Sequence, residues 1–248
     1  MKVKSIVALL GLSASLGVAA APLQPNSPAP SVINPAPGGE GSLQSIADSL
    51  FGPGHIDVNT QQSSAGQWTS ATPGSTTEIP TLLAEFTANA GTQSFGIWFG
   101  NDTTSIASFN LLLGGATPGD AVGITISGNT LTTFGGAGCG THYVCGSFTD
   151  ARINSSTFGF YFQPSPSSPI YYSLDQLNPG PRQDRFVAFQ DGSTTNWLFA
   201  YEDGTDFDYN DMAVKVESIN AIPEPETYAM MIAGLGAMGF IARRRKSR

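Results

Sequence analysis

Between residues 82 and 218 the chain alternates short apolar runs with clusters of Gly, Asn, Pro and Asp. The runs predict ten strands: Leu82–Thr87, Ser94–Phe99, Ser105–Leu113, Val122–Ser127, Thr141–Phe148, Thr157–Phe162, Ile170–Leu174, Arg185–Phe189, Asn196–Tyr201 and Met212–Ser218. Most start about 10–16 residues after the one before, a rhythm that suits antiparallel strands with short connections. One segment has the other period. Leu43, Ile46, Ala47, Leu50 and Phe51 fall on one face of a helix. Ser42 is its candidate N-cap, and Gly52-Pro53-Gly54 stops it. A helix this short needs a body to pack on. The expected fold is all-β, an antiparallel β-sandwich of the jelly-roll kind. It carries one short N-terminal helix and a C-terminal transmembrane-like helix.

The two ends follow other rules. Met1-Lys2-Val3-Lys4 is a basic start, Ser5 to Val18 is apolar, and Val18-Ala19-Ala20 offers small residues for cleavage. Residues 1–20 therefore read as a signal peptide, handled by the Sec translocon and signal peptidase. The run is too short to span a bilayer as a helix. Residues 21–41, rich in Pro, Ala, Asn and Gly, read as a flexible linker, and 42–219 as the sandwich domain. Residues 220–248 form a tail. It holds Pro223-Glu224-Pro225, an apolar stretch from Tyr228 to Ala242, and the basic cluster Arg243, Arg244, Arg245 and Lys246. Fifteen helical residues reach about 22 Å, short of a hydrocarbon core of about 30 Å. Such a helix is a weak permanent anchor of the inner membrane, and its basic flank belongs on the cytoplasmic side.

Setting the ends aside changes the charge. The whole chain carries −8, but residues 21–220 hold four Lys and Arg against seventeen Asp and Glu, near −13. Nucleic acid is a poor partner for such a body, and a hard cation a good one. Cys139 and Cys145 are the two cysteines. In an exported protein they read most simply as a disulfide shaping a loop. Metal ligation together with His142 is the alternative.

The most pointed chemistry lies in Glu202-Asp203-Gly204-Thr205-Asp206-Phe207-Asp208-Tyr209-Asn210-Asp211. In extended backbone, Asp206, Asp208 and Asn210 share one side, and Phe207 and Tyr209 point to a core. Asp206, Asp208 and Asn210 also match positions one, three and five of a helix-loop-helix calcium loop, with Glu217 at twelve. Asp211, however, stands where that loop needs glycine, and the flanks read as strands. Two readings remain open. Glu202, Asp203, Asp206, Asp208, Asn210 and Asp211 form a calcium site in a β-domain loop, or they form a turn whose side chains bond backbone amides.

Two resemblances rest on these residues. Phe199-Ala200-Tyr201-Glu202-Asp203-Gly204, then Asp206 to Asp211 and a short apolar strand, resembles the domain of unknown function 4114. Phe158-Gly159-Phe160-Tyr161, Tyr171 to Asn178 and Phe186-Val187-Ala188-Phe189 agree with it. Weaker likeness runs back through Ser94 to Trp98 and Ile56 to Thr60, and the strongest stretch is 155–218. The resemblance implies an exported β-rich module of surface or matrix proteins, without an established reaction. The tail resembles the PEP-CTERM sorting signal of Gram-negative bacteria. That resemblance implies cleavage near Pro223-Glu224-Pro225 by an exosortase, in a setting of exopolysaccharide and biofilm.

The expected function is a non-catalytic surface or extracellular-matrix protein, with calcium as candidate cofactor and exopolysaccharide as candidate partner. The alternative is a lectin-like module stacking sugars on Trp98, Trp197, Tyr201 or Tyr209. A hydrolase using Asp206 and Asp208 ranks last, because acids clustered on one loop more often ligate cations or form turns, and Ser-His-Asp catalysis lacks a Gly-x-Ser-x-Gly elbow. Mass spectrometry of the protein from its native host is expected to find the residues after about Pro225 missing. An intact C-terminus on the exported protein would refute the processing.

Overall fold

The computed structural model describes residues 23–24, 26, 32–36, 39–72, 77–78, 81–84, 91–135, 138–180, 184–192 and 194–222, with Leu235 and Met238 beyond them. The expected signal peptide, the Pro223-Glu224-Pro225 motif and the basic cluster lie outside these residues. So does the apolar tail stretch, save Leu235 and Met238, which are helical and exposed. Among the described residues no helix is long and apolar enough to cross a membrane.

The body is mostly antiparallel strand with one α-helix, α1, at Leu43–Phe51. In chain order the strands are β1 (Trp68–Ser70), β2 (Thr77–Glu78), β3 (Thr81–Ala84), β4 (Ser94–Gly100), β5 (Ile106–Leu112), β6 (Gly123–Ser127) and β7 (Thr130–Phe134). There follow β8 (Gly146–Thr149), β9 (Gly159–Gln163), β10 (Tyr171–Tyr172), β11 (Phe186–Gln190), β12 (Trp197–Tyr201), β13 (Met212–Val216) and β14 (Ile219–Ala221). They form three four-stranded sheets, ordered β10-β9-β4-β5, β11-β12-β13-β3 and β2-β6-β7-β8, and the ribbon β1-β14.

The first two sheets face each other through aromatic rings. Phe160 and Phe162 on β9 meet Phe199 and Tyr201 on β12, at centroid distances of 5.1 Å for Phe160–Phe199 and 5.5 Å for Phe162–Tyr201. Trp68, on the ribbon, sits among Phe160, Phe186, Trp197 and Phe199 at 4.7–5.8 Å and is fully buried. Tilted and edge-on rings at such distances are the favoured aromatic packings. The third sheet adds Ile124, Ile126 and Leu131 to the same core.

Phe186-Val187-Ala188-Phe189 and Trp197 to Tyr201 do not alternate apolar with polar, because both faces of their sheet are covered. Phe186, Trp197, Phe199 and Tyr201 point into the aromatic core. Val187, Phe189, Leu198, Ala200 and Ala213 point outward, under Leu43, Ile46 and Ala47 of α1. The helix begins as expected: Ser42 Oγ accepts from the Ser45 N–H at 3.2 Å. Gly52, at φ 95°, ends it.

Several expectations change. The stretch 21–41, expected to be a flexible linker, bonds to the body at several of its described residues, although Val32 is exposed. The Gln24 N–H donates to Gln176 Oε1 at 2.7 Å, and Asn26 bridges the Ser173 carbonyl and the Asp175 N–H. Leu23 and Ile33, partly buried, pack against the two smaller apolar clusters. Proline-rich chain has few internal backbone bonds, so its polar groups are free to dock. The strand expected from Thr141 begins only at Gly146. Before it the Cys139–Cys145 disulfide closes a turn, in which Gly140 N–H donates to the Tyr143 carbonyl at 2.6 Å. The strands β1, β2, β7 and β14 were not expected.

Trp68→Ala is expected to cost about 3–5 kcal/mol, the usual range for truncating a fully buried large aromatic. Denaturant unfolding measures it. A loss under about 1 kcal/mol would mean that the ribbon does not hold the two sheets together.

Candidate functional site

The acidic segment connects β12 to β13, and hairpin register brings its ends together. Tyr201 pairs with Met212 in the ladder, both buried. Glu202 and Asp211 are the next residues out, so they stand opposite each other at the root of the loop. Like charges placed so are destabilising. Both are nearly inaccessible to solvent.

The loop above this root is not extended, contrary to the expected alternation. Phe207 and Tyr209 have φ of 58° and 55°, in the left-handed region that bulky residues rarely enter. These kinks reshuffle the expected set. Tyr209 does point inward, into the cluster beneath α1, with Phe207 partly buried against it. Asp206, however, is exposed, whereas Asp208 and Asn210 are buried.

The structure divides the six expected ligands into two groups. Carboxylate oxygens of Glu202, Asp206 and Asp211 lie within 4.8 Å of one another. Asp208 and Asn210 lie deeper: Asp208 Oδ1 accepts from the Asn210 N–H at 3.2 Å, and Asn210 Nδ2 donates to the Gly41 carbonyl at 3.2 Å. Asp208 Oδ2 is buried with no hydrogen-bond partner among the described residues. Asp203 joins through its backbone, its N–H donating to Asp211 Oδ2 at 2.6 Å. The Gly204 N–H donates to Glu202 Oε1 at 2.6 Å. Part of the cluster is thus an amide-bonding turn, while a group of carboxylate oxygens still converges.

Electrostatics follow from burial. Loss of water pushes the Asp211 carboxyl up to about 8, with the charges of Asp203 and Glu202 adding to the effect. Burial also raises Glu202, and the Asp206 charge adds to it. Asp208 rises by burial first, then by the charges of Asp206 and Glu40. Arg185 is the cation beside the loop. Its Nη1 donates to the Gly204 carbonyl, and its guanidinium lies 5.4 Å from the Phe207 ring centroid. It bonds the loop's backbone there.

Reading the sequence alone missed the partners from the N-terminal arm. Asn34 donates its N–H to the Phe207 carbonyl at 2.8 Å and its side-chain amide to the Asp206 carbonyl. Glu40 contributes charge at Asp208, and Gly41 accepts from Asn210. A lone acid in Gly38-Gly39-Glu40-Gly41, just ahead of the helix, was the available signal. Elsewhere, Glu217 pairs with Lys215 and not with the loop, which agrees with rejecting the helix-loop-helix site. His142 Nδ1 lies 2.7 Å from Asp120 Oδ2, while both neighbouring cysteines are in the disulfide.

Fold and loop together define a class: an antiparallel β-module with an acidic hairpin loop braced by its own N-terminal arm. Residues 143–219 match the Domain of unknown function (DUF4114), and residues 221–246 match the PEP-CTERM protein-sorting motif. The acidic loop lies within the first match and Pro223-Glu224-Pro225 within the second. The motif marks an exported protein sorted through an exosortase. No curated protein and no solved structure matches the chain.

The sign of the pH effect follows from the raised carboxyls. Between about pH 4 and 8 the folded protein holds protons that the unfolded chain has released, so stability falls as pH rises through that window. With chelator present, unfolding free energy is expected to decline across it. Asp175, which burial raises to about 6, contributes in the lower half. Asp211→Asn is expected to flatten the decline between pH 6 and 8; an unchanged slope would contradict the buried-pair electrostatics.

Proposed function

We propose that this protein is an exported, non-catalytic component of the cell surface or extracellular matrix, whose acidic hairpin loop binds calcium. The sorting motif supports the destination, and the converging oxygens of Glu202, Asp206 and Asp211 carry the binding. Calcium takes six to eight oxygen ligands at 2.3–2.6 Å and tolerates irregular geometry. Three carboxylates, with carbonyls and water, suit that demand. A doubly charged ion also relieves the repulsion that hairpin register imposes on Glu202 and Asp211. In this reading the protein passes through an inner-membrane intermediate of a Gram-negative cell, meets exosortase, and joins an exopolysaccharide matrix as a jelly-roll-like sandwich. An acidic body that holds calcium is suited to bridging anionic polymers.

The sugar-stacking alternative loses its platform, because Trp98, Trp197, Tyr201 and Tyr209 are all buried. The hydrolase reading gains no support, because Asp208 is buried while Asp206 is exposed, a mismatch for a pair that would share substrate and water.

Calorimetric titration of the chelator-treated protein with calcium is expected to show saturable heat and a rise in melting temperature. Glu202→Gln is expected to abolish both. No heat and no thermal shift at millimolar calcium would sink the calcium reading.

A further inference from the structure

The arm that precedes α1 is attached to the acidic loop by three hydrogen bonds. The backbone and side chain of Asn34 hold the Phe207 and Asp206 carbonyls. Asn210 Nδ2 holds the Gly41 carbonyl, and Glu40 lies close enough to act on the Asp208 charge. Directly after these contacts comes α1, whose Leu43, Ile46 and Ala47 seal the outer face of the β11-β12-β13-β3 sheet. Holding the arm therefore holds the cover over an apolar face.

An acidic cluster alone would not make a site. The second observation is Asp208. Its residue is 1% exposed, its Oδ2 has no hydrogen-bond partner among the described residues, and the charges it faces are those of Asp206 and Glu40. A buried carboxylate oxygen left without a donor is costly, and a cation supplies what the protein does not.

We infer that a divalent cation held by Glu202, Asp206 and Asp211 of the loop clasps residues 33–41 and helix α1 onto the sheet, through the arm's hydrogen bonds to that loop. The inference rests on the calcium reading of the loop and adds to it the arm and a consequence. With the cation bound, the loop carbonyls that Asn34 uses are fixed in place. Without the cation, the converging oxygens of Glu202, Asp206 and Asp211 have no counter-charge among them. The loop then relaxes, Asn34 and Gly41 lose their partners, and the helix loses its tether. Coupling between sites is reciprocal: whatever the cation does for the arm, the arm does for cation affinity.

The experiment uses the full chain lacking only its signal peptide, with calcium chloride or chelator, and reads hydrogen exchange and calorimetry together. Calcium is expected to slow exchange at the Asn34 amide and along 43–51 by about tenfold, within the usual range of such couplings. Glu202→Gln is expected to remove that response. Asn34→Ala, which deletes one tether outside the carboxylate set, is expected to weaken calcium binding by about fivefold. Calcium heat with unchanged exchange at Asn34 and α1 would overturn the clasp and leave the loop site standing. Absence of calcium heat would overturn both.

Discussion

The register of the β12–β13 hairpin is the constraint from which the site follows. Trp197, Phe199 and Tyr201 are committed to the aromatic core, and Leu198 and Ala200 to the opposite face. A slip by one residue would exchange these two sets and bury the wrong shapes on each side. Tyr201 must therefore pair with Met212, and Glu202 and Asp211 must meet at the root of the loop. The repulsion between them is enforced by packing elsewhere, and the loop cannot relieve it by moving its ends. Strain at Phe207 and Tyr209 has the same origin, since a ten-residue segment must return to a fixed point while placing Tyr209 under the helix.

Much of this was legible in the sequence, for physical reasons. The helix could be read because a 3.6-residue period, a serine cap and a Gly-Pro-Gly stop all agree. The strands around Phe95, Phe160, Phe186, Phe199 and Val214 could be read because apolar density exceeds what a loop can hide. The missed strands show the limits of such reading. In β7 only Leu131 marks the core strongly among threonines, although Gly128-Asn129 offered a hairpin turn. In β1 and β14 three-residue strands pair across most of the chain length, and no local pattern reports a contact so distant.

The acidic loop was legible in composition and not in shape. Counting carboxylates correctly picked the segment. Placing Asp206, Asp208 and Asn210 on one side assumed extended backbone, which the left-handed residues break. The converging set became Glu202, Asp206 and Asp211. The arm misled for a related reason: Pro, Ala and Gly predict a lack of helix and strand, and that is different from a lack of contacts. Single residues such as Ile33 and Asn34 can dock an irregular segment without leaving any periodic trace.

The division between body and tail also has a structural basis. The last described backbone bond runs from the Ile222 N–H to the Gln67 carbonyl at 3.1 Å, and Ala221 pairs with Trp68 in the ribbon. The sorting match begins at residue 221, and Pro223 has no N–H to extend the ladder. The ribbon therefore ends where the motif begins, with almost no spacer. Removal of the chain beyond Pro225 would leave every pairing of β1 with β14 in place, along with the seating of Trp68 between the sheets. A proline offers no N–H to a ladder, so the residue that opens the recognition motif makes no demand on the ribbon's hydrogen bonding.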